Sequence, residues 1–267
     1  MSADIKSLRS SIRSVDSMLH LTSAMGLVAS SKIYRASEEM IKARQYAETL
    51  KIMTATLASC PECQRSPYMR TEGEERTRLV VIAGDRGLCG GYNSNVFKAA
   101  EEFPEAEKLC IGKRACERFG GELTLCGGYT CEQGHELAVK LCEDFAGGKF
   151  DRLGLVSTEY VSMMTQTASV KWLLPFEKAE GSRAGGIEFE PDEVSVMNAA
   201  VVEYVYGMIM WGVREGFASE NAARRMAMDN AGRNAREMLD DLRLTYNRAR
   251  QGAITQEITE IVAGSGR

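Results

Sequence analysis

Apolar residues return every seven positions from Ile5 to Leu57. Positions 5, 12, 19, 26, 33, 40, 47 and 54 carry Ile5, Ile12, Leu19, Gly26, Ile33, Met40, Ala47 and Thr54. The companion set, 8 to 57, carries Leu8, Val15, Thr22, Ala29, Ala36, Ala43, Leu50 and Leu57. Thirteen of these sixteen are apolar, and no proline interrupts residues 4 to 58. A seam spaced alternately by three and four residues predicts one long helix paired in a left-handed supercoil, roughly 80 Å long. The small seam residues Ala29, Ala36, Ala43 and Ala47 predict a close approach of the partner helix. A long helix in an ordinary bundle is the plainer alternative.

A second helical pattern occupies residues 193 to 262. Its apolar positions are Met197, Val201, Tyr204, Met208 and Trp211, then Ala231, Ala235, Met238, Leu242 and Ala249. The pattern slips between Gly212 and Asn221, and Gly207, Gly212 and Gly216 weaken a free helix there, so a local unwinding or a change of supercoil is expected. Paired antiparallel with the first rod, the longer second rod overhangs it by roughly 24 Å.

Between the rods the period changes. Thr77 to Ala83 reads as a buried strand, followed by a glycine-rich turn and a helix from Asn93 to Phe103. Then come a strand at Lys108 to Ile111, a helix at Ala115 to Phe119, a strand at Leu123 to Cys126 and a helix at Glu136 to Phe145. Two further strands fall at Arg152 to Thr158 and Ala168 to Leu174, with a short one at Ile187 to Glu190. The order predicts a mixed, largely parallel sheet covered by helices. The polar loop from Glu177 to Gly186 reads as mobile. The expected plan is therefore α/β: an N-terminal coiled-coil helix at 1–58, a central α/β domain at 77–190 and a C-terminal coiled-coil helix at 193–262.

Composition narrows the choices. The net charge of −4 gives no reason to expect nucleic acid. No window approaches 18 uncharged apolar residues, and the start has an acid and lacks the apolar core of an export signal, so neither a bilayer span nor a leader is expected. Eight cysteines without an export signal point to reduced thiols. Cys60-Pro61-Glu62-Cys63 could be half of a zinc site, with Cys126 and Cys131 as the other half, although plain buried or surface thiols are the simpler reading. His20 and His135 show no ligand spacing.

Two features invite chemistry. The turn Gly84-Asp85-Arg86-Gly87-Leu88-Cys89-Gly90-Gly91 could cradle a phosphate, because glycines after a strand let backbone amides approach an anion. It matches neither G-x-G-x-x-G nor G-x-x-x-x-G-K-[ST] and has no lysine, so a tight crossover serves equally. No hydrolytic constellation stands elsewhere, and no cofactor, metal or catalytic residue is expected. The other feature is a collar of fifteen residues between Asp16 and Lys32 without Asp, Glu, Lys or Arg. A two-stranded coil in water shows charges on its outer positions at that length. The collar therefore predicts enclosure by a partner that grips without ion pairs, or packing of a Ser/Thr-rich patch on the chain's own domain. Gln251 to Gln256 is likewise neutral.

Three segments together carry a resemblance. L-T-S-A-M-G-L-V-A-S-S-K at 21–32, G-D-R-G-L-C-G-G-Y-N-S-N-V at 84–96, and S-E-N-A-A-R-R-M-A-M-D-N-A at 219–231 running on to L-T-Y-N-R-A-R-Q-G-A-I-T-Q-E-I-T-E-I-V at 244–262 are similar to the γ subunit of F-type ATP synthase, bacterial type. The resemblance implies a non-catalytic rotor shaft: an antiparallel coiled coil inside an α/β hexamer, and a Rossmann-like foot meeting ε and the membrane ring of c subunits. It places the chain peripherally on the cytoplasmic face of a bacterial membrane. By motif, Met25, Arg224, Arg250, Gln251, Thr255 and Glu257 match residues that meet β. Arg86, Gly87, Leu88, Cys89 and Gly90 of the turn, with Phe189 and Glu190, match the foot facing ε and the ring. Ser23 and Gly26 stand where many relatives have Lys and Glu, and Gly264-Ser265 where Gly-Ala is common. A nucleotide-binding enzyme with a coiled-coil arm and a scaffold coiled coil are the competing readings.

Overall fold

A computed structural model describes residues 2–70, 76–176 and 189–265. The first helix, α1, spans Ser2–Ala58, and two short 3₁₀ turns, Glu62–Arg65 and Pro67–Met69, follow it. Then come β1 (Thr77–Ile82), α2 (Tyr92–Glu101), β2 (Glu107–Ile111), α3 (Lys113–Phe119), α4 (Cys131–Ala146), β3 (Arg152–Tyr160), β4 (Gln166–Leu174) and α5 (Glu193–Ser265). Two compact units divide the chain, residues 1–29 with 225–267 and residues 30–224. The division falls within both long helices.

In the larger unit the sheet order is β2-β1-β3-β4. β1 is parallel to β2 and β3, while β4 returns antiparallel to β3. Period-2 alternation splits the strands between two cores. Val80, Ile82, Leu153 and Leu155 face α4 and the first half of α5, where Leu141, Val201, Val205, Ile209 and Val213 are buried. Leu79, Val81 and Val156 face Val96, Ala99 and Ala100 of α2 and Ala115 of α3. α5 thus begins as the central core helix of the α/β unit. That explains its composition: by length and mean hydropathy it holds an 18-residue window that could cross a membrane, but 61% of that window is buried in the chain's own core. Residues 194 to 213 carry a single charge, Glu203.

The expected unwinding near Gly212 does not occur, since α5 is helical throughout. The glycines serve close packing. A methyl at Gly207 would lie 2.8 Å from Leu50 Cδ1, and one at Gly212 2.8 Å from Ile82 Cδ1. The segment Leu123–Cys126 is not a strand either. Its tie to the sheet edge is the Gly112 amide donating to the Thr124 carbonyl at 2.9 Å, and Leu123 and Leu125 are exposed. α4 starts earlier than periodicity suggests, because Thr130 and Gln133 form a reciprocal capping box. The strand expected at 187–190 and the loop at 177–186 lie largely outside the described residues; Phe189 and Glu190 are irregular.

Every seam position expected on α1 is buried or half-buried. In the larger unit Ala47, Leu50 and Leu57 join the core, and Leu50 meets Gly207 while Arg44 meets Glu215, so the helices run antiparallel. In the smaller unit Leu19 and Thr22 pack on Gly232, and Gly26 on Met228, again antiparallel. The seam of α5 there runs Met228, Gly232, Ala235, Leu239, Leu242, Tyr246 and Ala249, a strict 4-3 alternation. Met238, expected in the seam, is 53% exposed, and Leu239 takes its place at 3%.

One ion cluster gives the larger unit an acid-sensitive tie. Asp144 accepts from Arg78 at 2.7 Å and Lys149 at 2.6 Å, and Arg78 also pairs with Glu107. The Lys149 and Arg78 hydrogen bonds hold the Asp144 carboxyl below the usual range. A carboxyl depressed in the folded state contributes stability that is complete above the unfolded value, about 3.9, and is lost as pH falls through the folded one. The melting temperature should therefore drop more steeply below about pH 4 in the natural chain than in Asp144→Asn. Parallel curves would remove Asp144 from the account.

Candidate functional site

The glycine turn leaves β1 at the carboxyl end of the sheet, and its backbone is bonded from within. The Gly84 amide donates to Asn93 Oδ1 at 2.9 Å, and the Gly84 carbonyl accepts from the Arg114 amide at 3.0 Å. Asp85 accepts three amides: Lys113 at 3.2 Å, Cys126 at 2.8 Å and Gly127 at 2.8 Å. Its carboxylate thus occupies the start of α3, where a bound anion would sit. Glu220 fills the space over Gly84, where a methyl would lie 2.7 Å from its carboxyl carbon. Two carboxylates packed on the turn repel a phosphate, and Asp85 takes the amide at the start of α3, so this is not a phosphate cradle.

Arg224 lies on the same turn. Its Nε and Nη2 donate to the Gly87 carbonyl at 3.3 and 3.2 Å, Nη1 donates to Asn221 Oδ1 at 3.3 Å, and Nη2 pairs with Glu220. Arg224 is 7% exposed. Cys89 is buried, and burial pushes its thiol up, partly offset by the Arg224 charge. Tyr92, at the start of α2, donates to the Gly216 carbonyl at 3.0 Å and so fixes the turn to α5. Arg86, Leu88 and Gly90 are exposed.

The other expected residues are elsewhere. Phe189 is half-buried against the core and Glu190 exposed, just before α5 begins. About 35 Å of helix separates Glu193 from Gly216, which meets the turn. Phe189 and Glu190 therefore lie at the end of the sheet opposite Arg86 to Gly90, whereas Arg224, expected on a different partner, touches the turn. In the smaller unit Met25 is half-buried, and Arg250, Gln251, Thr255 and Glu257 are exposed on the last turns of α5. Ile254, Ile258, Ile261 and Val262 on the same turns form an exposed apolar face. The collar residues Met18, Leu21, Leu27 and Val28 are exposed at 55 to 66%. Sequence reasoning did not single out Asn93, Glu215 and Glu220, which shape the turn and the helix joint. The signal present was a carboxylate inside an apolar helix.

The cysteines do not gather. Among the described residues no three His, Cys, Asp or Glu side chains are grouped as a metal site. Cys63 is fully buried and donates to the Glu193 carbonyl, and burial, with the neighbouring Cys60, pushes its thiol up to about 11. Cys126 lies in the core against Val213, while Cys131 is exposed on α4. Iodoacetamide at neutral pH should label Cys131 in the native chain and Cys63 only after unfolding. Native labelling of Cys63 at a comparable rate, read by peptide mass spectrometry, would contradict this packing.

The chain is thus a protein of two long antiparallel helices and a mixed α/β sheet unit whose glycine turn is filled from within. The family model described as ATP synthase matches residues 4–266, and the chain belongs to that family. Solved structures share the fold. The rotor of Euglena gracilis mitochondrial ATP synthase is 18% identical, with a TM-score of 0.66 over 95% of this chain and 100% of that one. A second Euglena gracilis structure, of OSCP, F1 and the c-ring, gives 17% identity and 0.67 over 99% and 94%. The Tetrahymena thermophila central stalk and c-ring structure gives 20% identity and 0.58 over 79% and 99%.

Proposed function

We propose that the chain is the γ subunit, the central rotor shaft of an F-type ATP synthase. Its helix pair turns inside an α/β hexamer that carries the catalytic sites, driven by ion flow through a membrane c ring. The observation that carries this reading is the exposed apolar surface of the two long helices. Met18, Leu21, Leu27 and Val28 on α1 are exposed in the uncharged collar, and Ile254, Ile258, Ile261 and Val262 are exposed on the last turns of α5. Such a surface calls for a sleeve. A sleeve held by apolar contact lacks the directional wells that ion pairs would create during rotation. Coupling then rests on each orientation of an asymmetric shaft favouring one conformation of the facing subunit.

Met25, Arg250, Gln251, Thr255 and Glu257 are assigned to β. Phe189 and Glu190 are assigned to ε and the c ring. The turn from Arg86 to Gly90, matched by motif to the foot facing ε and the ring, is placed against β instead, because Arg224, in a β-facing motif, lies behind it. The complex is peripheral to the membrane. A bacterial, cytoplasmic-face setting is the finer reading, and eight unpaired cysteines suit a reducing compartment.

The test is ATP hydrolysis by α and β subunits with and without this chain, after complex formation is checked by size exclusion. Stimulation within a stable complex supports the rotor; no complex from folded components ends it. Lysine in the collar probes the sleeve. Gly26 is unsuitable, because a side chain added there would start 3.7 Å from Met228 Cβ inside the helix pair. Leu27→Lys and Val28→Lys instead load the outer surface. Burying an unpaired charge costs several kcal/mol, so ion-driven synthesis should fall at least about tenfold. Unchanged synthesis counts against enclosure.

A further inference from the structure

The turn holds the one non-glycine residue with positive φ among the described residues, Leu88 at +59°. A left-handed backbone disfavours a branched side chain and persists where its surroundings over-determine it. The same turn has glycines at 84, 87, 90 and 91, yet the left-handed position next to Gly87 carries a leucine, and that leucine is 63% exposed. Internal packing does not explain a strained residue whose apolar side chain points to solvent. Presentation does.

The bonds on either side of Leu88 show what holds it. The Arg86 carbonyl accepts from Asn93 Nδ2 at 3.3 Å and from the Cys89 thiol at 3.7 Å. The Gly87 carbonyl, which belongs to the peptide leading into Leu88, accepts both Arg224 donors. Arg224 is in turn seated by Glu220, which is 2% exposed and lies under Gly84. We propose that Arg224 is a positioning residue: with Glu220 it holds the Gly87–Leu88 peptide so that Leu88 is presented to a partner, and its guanidinium does not itself meet that partner. A guanidinium with 7% exposure and a committed carbonyl cannot reach outward without releasing the turn. The surface that receives Leu88 rests on the rotor reading, in which it is an apolar site on β.

A double-mutant cycle on the full chain tests the internal link without any partner. Glycine adopts positive φ freely, so Leu88→Gly removes the need for holding. Arg224→Ala should lower the melting temperature more in the natural background than in the Leu88→Gly background, by about 2–4 °C. The common cost of leaving Glu220 unpaired cancels in that difference. Equal shifts in the two backgrounds overturn the link.

The functional arm uses the complex with α and β. Leu88→Asn keeps a residue that tolerates the left-handed backbone but removes the apolar tip. It should leave the melting temperature of the free chain no lower and cut support of hydrolysis about tenfold, equivalent to about 1.4 kcal/mol. Full hydrolysis by Leu88→Asn overturns presentation. Arg224→Lys keeps the charge without the rigid fork, and should behave as Arg224→Ala does. Full rescue by lysine would mean that Arg224 offers a charge to the partner, against positioning. If the natural chain neither binds nor stimulates α and β, the rotor reading fails, while the thermal cycle still decides whether Arg224 holds Leu88.

Discussion

Glu215→Ala should destabilise the chain by about 3 kcal/mol, the largest effect of any single carboxylate here. Glu215 is fully buried on α5. It accepts from Arg44 of α1 at 2.7 Å and from the Tyr160 amide at the end of β3 at 3.2 Å, and pairs with Lys171 of β4 at 3.9 Å. Trp211 packs beside both cations, 5.7 Å from the Arg44 guanidinium and 4.1 Å from Lys171 Nζ. One carboxylate therefore ties both long helices to the sheet. Removing it strands two cations, which is what makes broken buried pairs costly. Their side chains are 36% and 25% exposed, so water recovers part of the loss and the effect stays at the low end of the range for buried pairs. Glu215→Gln keeps the shape and should cost less. Urea unfolding at unchanged slope gives the number; a loss below about 1 kcal/mol, the scale of a surface pair, would show that the cluster contributes little to folding.

The second large effect is a reversal of sign between two helical glycines. At Gly252 nothing lies within 4 Å of an added methyl, and Gly252→Ala should stabilise the free chain by about 0.5–1 kcal/mol through helix propensity. At Gly212 the methyl would meet Ile82 Cδ1 at 2.8 Å, Leu155 Cδ2 at 3.3 Å and Ser157 Cβ at 3.5 Å. Those three residues are at most 1% exposed and have nowhere to retreat. Gly212→Ala should therefore destabilise by about 1–3 kcal/mol. A gain at Gly212 would mean that α5 can shift away from the sheet, and that its close approach is not required.

This pair of glycines also marks where sequence reading stops. Gly207, Gly212 and Gly216 look like breaks in a helix when only propensity is considered. In the fold they are the face on which α5 approaches Leu50, Ile82 and Tyr92. Met238 and Leu239 show the same limit. Adjacent apolar residues near a slipped pattern can each be assigned to the seam, and only the pairing partner selects Leu239. The apolar run from Val194 to Val213 resembles a membrane segment by composition, because a helix enclosed by its own domain meets the same demand for apolar side chains.

The heptads of α1, the alternation of the strands and the three family segments are local patterns, and local patterns are legible because each residue's period reports the face it buries. They determined the two long helices, the α/β class with a mixed sheet, and the resemblance to a rotor subunit. The geometry of the candidate surfaces is different in kind. That Arg224 and Gly87 touch, that Phe189 lies at the far end of the sheet from Leu88, and that Asp85 and Glu220 fill the glycine turn all depend on residues far apart in sequence. Such contacts are set by how α5 crosses the sheet, and no spacing along the chain encodes that crossing. The sequence by itself determined which elements form; the tertiary structure alone decided which side chains are committed inside and which are left to meet a partner.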